Sequence, residues 1–315
     1  MKKISIIFAI LTVFCLFLPS CSINKLAMNL VADALTGEGN SDVFTGDSDP
    51  ELVGDAIPFA IKMYESLLSQ NPTHQGLMLT TGSMFVMYAN AFVQGPSEML
   101  PQSDWKGRED GALRAKLLYL RGYEILYNAL ETKYPGFKKA AADENAIKPY
   151  LDKFKKDDVG TIYWAVAGGL SAYSIDLLDF QLSSCLPQWN AMIHRAYLLD
   201  PDFGGAAMDE FFIIFYASLP EMMGGDKEKA KQHFDITMKK TGGKSAGAYV
   251  SFAQSICIPD QDYDTFKDYL EKAIAINPND DASTRLVNII SQRKARWLLE
   301  NAWIHFSFLP IPDDY

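Results

Sequence analysis

The chain has 315 residues, 48% of them apolar and 22% charged, the balance of a globular protein long enough to bury a sizeable core. Its formal net charge is −10. An acidic chain argues against nucleic acid as a partner and against docking on anionic lipid by charge.

Lys2 and Lys3 precede an apolar run from Ile4 to Phe17, broken only by Ser5 and Thr12. At about 1.5 Å of rise per residue, this run is too short for a hydrocarbon core of about 30 Å. Leu18-Pro19-Ser20 then leads into Cys21, the layout of a secretory signal followed by a lipobox with an atypical proline. Residues 1–20 are therefore expected to be a signal peptide. Cys21 is the expected lipid attachment site of a periplasmic, membrane-anchored lipoprotein. The rival reading is an ordinary signal peptide with an incidental cysteine. Losing the signal lysines makes the mature chain more acidic still. Cys185 and Cys257 remain, both in apolar contexts. Buried free thiols are the favoured reading; a disulfide between them is the alternative.

Residues 21–48 form a lipidated N-terminus, a short helix and a linker. Ile23, Leu26, Ala27, Leu30, Val31, Ala34 and Leu35 have helical spacing, and Thr36 to Asn40 end it. With Lys25 alone on its polar face, this helix is expected to pack on the domain and not on the membrane.

Residues 49–306 read as one helical domain, followed by a tail at 307–315. Apolar stripes at helical spacing run through Ile57, Ala60, Ile61 and Tyr64, through Trp189, Met192, Ile193 and Ala196, and through Phe266, Leu270 and Ala273. Phe211 to Phe215 is apolar enough for a strand, but it lies in a longer apolar segment and reads as a buried helix. Asn71-Pro72, Tyr134-Pro135, Asp200-Pro201 and Asn277-Pro278 each stop a helix, because proline cannot continue one. The prolines recur at about two tetratricopeptide lengths of roughly 34 residues, and Gly242-Gly243 takes the place of a missing stop. The expected fold is all-α, with stacked antiparallel helix pairs in degenerate tetratricopeptide-like repeats, an α-solenoid.

Catalytic motifs are weak. Gly243-Lys244-Ser245-Ala246-Gly247 matches the letters of a nucleophile elbow, but that turn needs a strand before it, and here a helix precedes. It reads as an inter-helix turn. Met238 stands where a phosphate loop needs its first glycine. His74, His194, His233 and His305 are scattered without metal spacing, and His233 reads as a core histidine. No catalytic residue, metal or cofactor is expected. Aromatic and methionine clusters are the plausible functional groups. Met84 and Tyr88 in the Met-rich helix 78–93, and Tyr163 with Trp164, are the candidates for a pore lining or partner surface, with core packing as the simpler reading.

Three segments carry a family resemblance: Asp47-Ser-Asp49-Pro50-Glu51-Leu52-Val53, Gly224-Gly225-Asp226-Lys-Glu-Lys229-Ala230, and Arg285-Leu286-Val287-Asn288 with Gln292-Arg293. In these the chain resembles the T-component family of tripartite ATP-independent periplasmic (TRAP) transporters. The resemblance implies a lipoprotein of stacked cryptic tetratricopeptide helices that forms ring-shaped homotrimers with pores. It also implies docking of a periplasmic solute-binding protein, the P-component, which carries a hydrophobic or organic-acid ligand. By residue type alone these segments are caps, turns and solvated faces. The expected function is assistance in TRAP-type uptake, without enzymatic activity. The alternatives are a generic envelope-assembly adaptor and, further off, a hydrolase using Ser245.

Overall fold

The computed structural model describes residues 32–33, 35–36 and 42–311. The signal segment, Cys21 and most of the helix expected after it lie outside the described residues. Ten main helices follow in chain order: α1 (Pro50–Gln70), α2 (Gln75–Tyr88), α3 (Trp105–Lys133), α4 (Val159–Ile175), α5 (Leu186–Leu199), α6 (Ala207–Ser218), α7 (Lys227–Thr241), α8 (Ala246–Phe252), α9 (Tyr263–Ala275) and α10 (Arg285–Glu300). No strand occurs among the described residues. Phe211 to Phe215 is helical, as expected, within α6.

The stops read at Asn71, Tyr134, Asp200, Gly242 and Asn277 all fall at the ends of odd-numbered helices, while the one at Thr36 to Asn40 lies mostly outside the described residues. Asn71, Tyr134 and Asp200 cap the C-termini of α1, α3 and α5, each followed by proline. Gly242 closes α7 at φ 60°, a left-handed conformation that favours glycine. Four odd helices also start alike. Asp49, Asp104, Asp226 and Asp262 accept backbone N–H bonds from the first turns of α1, α3, α7 and α9. Each such cap is worth about 1 kcal/mol.

The even helices α2 and α8 share another device. Each runs into a π-helical segment, Ala89–Gln94 and Ala253–Cys257, just before Pro96 and Pro259. Gly95 N–H bonds Asn90 O, and Ile258 N–H bonds Ala253 O, each five residues back. The wider turn moves the preceding carbonyls away from the proline ring, which would otherwise clash with an α-helical backbone.

Most consecutive helices pack side by side, α1 on α2, α2 on α3, α3 on α4, α4 on α5, and α6 on α7 through to α9 on α10, while α5 meets α6 through the rings of His194 and Tyr197 against Phe212. Neighbouring even helices also touch, α2 with α4, α6 with α8, and α8 with α10. The odd helices approach one another less closely, so the packing between helix pairs runs mainly through the even helices. Glycines permit the tightest crossing. Gly82 and Gly122 bring the backbones of α2 and α3 together, and a Cβ on Gly122 would lie 2.7 Å from Gly82 O. Gly169 of α4 leaves room for the Trp189 ring of α5, which is fully buried and donates Nε1–H to the Tyr127 hydroxyl at 3.2 Å.

The main core runs from Val86 to Phe306; a second, smaller one joins α1 and α2 to Leu286 and Ile290 of α10. The last helix thus returns to the first. Arg285 Nη1 donates to Gly46 O at 2.6 Å, Arg293 pairs with Glu51, and Lys294 Nζ pairs with Glu98 at 2.9 Å. These arginines do not merely solvate a helix face. They join the two ends of the stack. Asn288 and Gln292, on the same helix, are buried because they serve backbone groups: Asn288 Oδ1 accepts from Ala246 N, and Gln292 Nε2 donates to Ile276 O at 2.6 Å.

Candidate functional site

The even helices α2, α4, α6 and α8 are distinguished by what they lack. No Asp, Glu, Lys or Arg occurs from Gln75 to Ser97, from Val159 to Ile175 or from Ala246 to Pro259, and α6 has none after Glu210. A helix apolar all round is normally enclosed on every side. Gln75–Glu98 is long and apolar enough to cross a membrane by length and composition. Here it packs instead against α1, α3 and α4. Yet each of these helices keeps one face partly open.

On α2, Leu77, Met84 and Phe85 join the core shared with α1, while Gly82 and Val86 meet α3 and α4. Thr80, Ser83 and Met87 are left partly exposed. On α4, Gly168 faces Val86 and the Tyr119 carbonyl, and Gly169 faces Trp189, which leaves Tyr163, Trp164 and Ala167 half-buried. On α6 the open residues are Glu210, Phe211 and Ile214. The open faces of successive helices join. Tyr163 meets Phe211 with ring centroids 5.9 Å apart, and a Cβ on Gly247 of α8 would lie 3.6 Å from Glu210 Oε2 and 3.5 Å from Ser291 Oγ of α10.

Among the described residues, Glu210 is the acid on this apolar surface that has no basic partner. Ser245 Oγ donates to its Oε1 at 2.5 Å. Burial is the main cause that pushes this carboxyl above its ordinary range. The Ser245 hydrogen bond opposes the shift and the nearby Asp209 charge adds to it. Asp209 itself points the other way, into the core. It accepts from His233 Nδ1 at 2.7 Å and from the Tyr197 hydroxyl at 3.1 Å, with Lys240 Nζ 2.8 Å from Oδ2. Burial works against its charge, but the His233 and Lys240 hydrogen bonds hold the carboxyl below its ordinary range.

The structure separates the sequence candidates. Tyr163 and Trp164 lie on the open face of α4, in edge-to-face contact. Met84 is buried in the small core against α1. Tyr88 stacks on Phe92 and accepts from Arg114 at 3.4 Å, so it too faces away from the open side. The methionine on the open face is Met87, 37% exposed. Ile214 and Glu210 carried no signal in the sequence beyond the absence of charges in the rest of α6 after Glu210. A separate groove of about 310 Å³ lies between α5 and the 144–151 segment, lined by Glu144, Lys148, Pro187, Asn190 and His194.

Ser245 is the N-cap of α8. Its hydroxyl accepts from Ala248 N at 3.1 Å while donating to Glu210, and the turn before it follows helix α7. That is a capped inter-helix turn and not an elbow after a strand. His233 is held by Asp209 and stacked on Phe212, as a core histidine. Cys185 and Cys257 are free thiols, the first half-buried and the second buried. Burial pushes the Cys257 thiol up to about 12.

Against this geometry stands a family model, that of the TRAP transporter T-component, which matches residues 46–306. The chain belongs to the TRAP transporter T-component family. An uncharacterized protein of Treponema pallidum (strain Nichols) is 34% identical over 298 residues, 90% of this chain and 92% of the relative. Membership gives the chain a role in a TRAP transport system and places it in a family of transporter components, not of enzymes. The segments that resemble the T-component family have structural work here. Asp49 and Asp226 cap helices, and Glu51 meets Arg293 across the closure.

Proposed function

We propose that this T-component engages a periplasmic solute-binding protein and guides an apolar or amphipathic small molecule along the open face of its even helices. The observation that supports this reading is the apolar surface of α2, α4, α6 and α8, left partly open although its composition is that of core and interrupted by the single acid Glu210. An apolar surface of that kind offers a ligand burial without charge neutralisation. On this reading Cys21 carries the lipid that tethers the protein to the membrane, and several copies, three by family resemblance, assemble around the ligand path. Affinity purification of the native protein, with mass spectrometry of proteins and small molecules that accompany it, tests the proposal. A solute receptor and an amphipathic ligand are expected. Reproducible purification with envelope-assembly proteins and no solute receptor sinks it and favours the adaptor reading. Mass spectrometry of the N-terminal peptide is expected to show acylated Cys21; an unmodified cysteine refutes the tether.

A further inference from the structure

The Glu210 corner of the open face has a chemistry that the rest of the face lacks. Glu210, Tyr163, Gly247 and Ser291 come from four different helices and are all half-buried. One Glu210 oxygen is fixed by Ser245, which leaves Oε2 beside the space over Gly247, with Ser291 Oγ on the far side. Neither the Ser291 hydroxyl nor the Tyr163 hydroxyl forms a hydrogen bond with the described residues. The Tyr163 ring lies against Phe211, the residue after Glu210, with ring centroids 5.9 Å apart. No basic side chain contributes to the environment of Glu210. Lys240 at the end of α7 and Lys244 on the turn before Ser245 are committed elsewhere, Lys240 to Asp202 and Asp209, and Lys244 to Asp280. Phe211, Trp164 and Ile214 extend away from this corner as apolar wall.

A corner of one carboxylate and two free hydroxyls, without a cation, at the edge of an apolar wall favours an amphipathic molecule lying along the wall with its polar end in the corner. A carboxylate or hydroxyl oxygen welcomes a donor. A second carboxylate placed there meets Glu210 with no cation to screen the pair, which is unfavourable in a partly desolvated site. We propose that Glu210, with Tyr163 and Ser291, forms the head-group end of a ligand site that takes a hydroxyl or protonated amine in preference to a free carboxylate. This rests on the reading of the open face as the ligand path.

The test uses the full chain and three probes with one tail: decan-1-ol, decylamine and decanoate, titrated by calorimetry at neutral pH. Decan-1-ol and decylamine are expected to bind at least tenfold more tightly than decanoate. Glu210→Gln is expected to bring decylamine within about threefold of decanoate. Tyr163→Phe, which keeps the ring packing, is expected to weaken the alcohol and the amine and leave decanoate unchanged. Trp164→Ala is expected to weaken all three alike. Equal binding of the three probes, or tighter binding of decanoate, overturns the head-group assignment while the open face stands. Binding of none of them overturns the ligand path itself, and the corner with it. If Glu210→Gln fails to fold, the unmodified chain and Tyr163→Phe decide the question.

Discussion

Arg293 holds Glu51 from the other end of the chain, with Nη1 2.5 Å from one carboxylate oxygen and Nη2 3.0 Å from the other. The two residues are 242 positions apart. A two-point fork of this kind fixes orientation as well as distance. It sets helix α10 against α1, where Leu286 and Ile290 enter the small core. The first and last helices of the stack are thereby one packing unit.

Glu51→Gln is expected to lower the melting temperature at low ionic strength, with the loss shrinking in 1 M salt, where the screening length is about 3 Å. The Arg293 hydrogen bond is the largest cause that pushes the Glu51 carboxyl down from 4.5 to about 2. A depressed carboxylate stabilises the fold fully above its unfolded value and stops doing so as pH falls through its folded value. The difference between parent and variant should therefore be constant above pH 5 and vanish towards pH 2. Melting curves across that range check it; a difference that persists at pH 2 refutes the pairing.

Gly122→Ala and Gly160→Ala should have opposite signs. At Gly122 a methyl meets Gly82 O at 2.7 Å and Val86 Cγ2 at 2.9 Å, so α2 and α3 must move apart, a loss of about 1–3 kcal/mol. At Gly160 the nearest atom is 3.5 Å away, which is ordinary contact. There the gain in helix propensity should dominate, about 0.5–1 kcal/mol. Denaturant unfolding of both variants measures the contrast.

Gln292→Met keeps the side-chain volume but removes the amide that reaches Ile276 O at 2.6 Å and Ala273 O at 3.1 Å. The last carbonyls of α9 then lose a donor in a buried place, a cost of about 1–3 kcal/mol. Equilibrium unfolding is the measurement, and an unchanged midpoint would show that the carbonyls find other partners.

Asp209→Asn removes the charge that faces His233 and Lys240 in the α6–α7 interface. Breaking a fully buried pair costs about 3–5 kcal/mol. Lys240 is partly exposed and keeps Asp202, so the expected loss is smaller, about 2–3 kcal/mol. Because Asp209 is held below its ordinary range, its contribution is complete above that range and disappears in stronger acid. Chemical unfolding at pH 7 and in acid should show the gap closing.

Trp164→Ala separates a working surface from simple packing. Loss of a binding anchor costs about 2 kcal/mol or more of affinity. Removing a core tryptophan costs about 3–5 kcal/mol of stability, the amount expected for the fully buried Trp189. For half-buried Trp164 a smaller stability loss and a clear loss of receptor or ligand affinity are expected. Full destabilisation with unchanged affinity would return Trp164 to the core.

The sequence by itself determined the helices and their ends. Proline and aspartate act on the backbone within a few residues, so Asp49, Asn71-Pro72, Gly242 and Asp226 are legible without a partner. It also carried the family: the resemblance read from Asp49 to Val53 and Arg285 to Arg293 agrees with the family model that matches residues 46–306. Tertiary structure alone decided which faces stay open. A helical stripe reveals its buried side only when an opposite polar side exists, and α2, α4 and α8 have no charged side. Met84, Tyr88 and Met87 look equivalent in such a sequence. Contact with α1 buries Met84, and incomplete cover leaves Met87 37% exposed. The same holds for Glu210 beside Ser245 and for Glu51 beside Arg293. Pairs made by packing have no local signal, because distance along the chain says nothing of which helices the stack brings together.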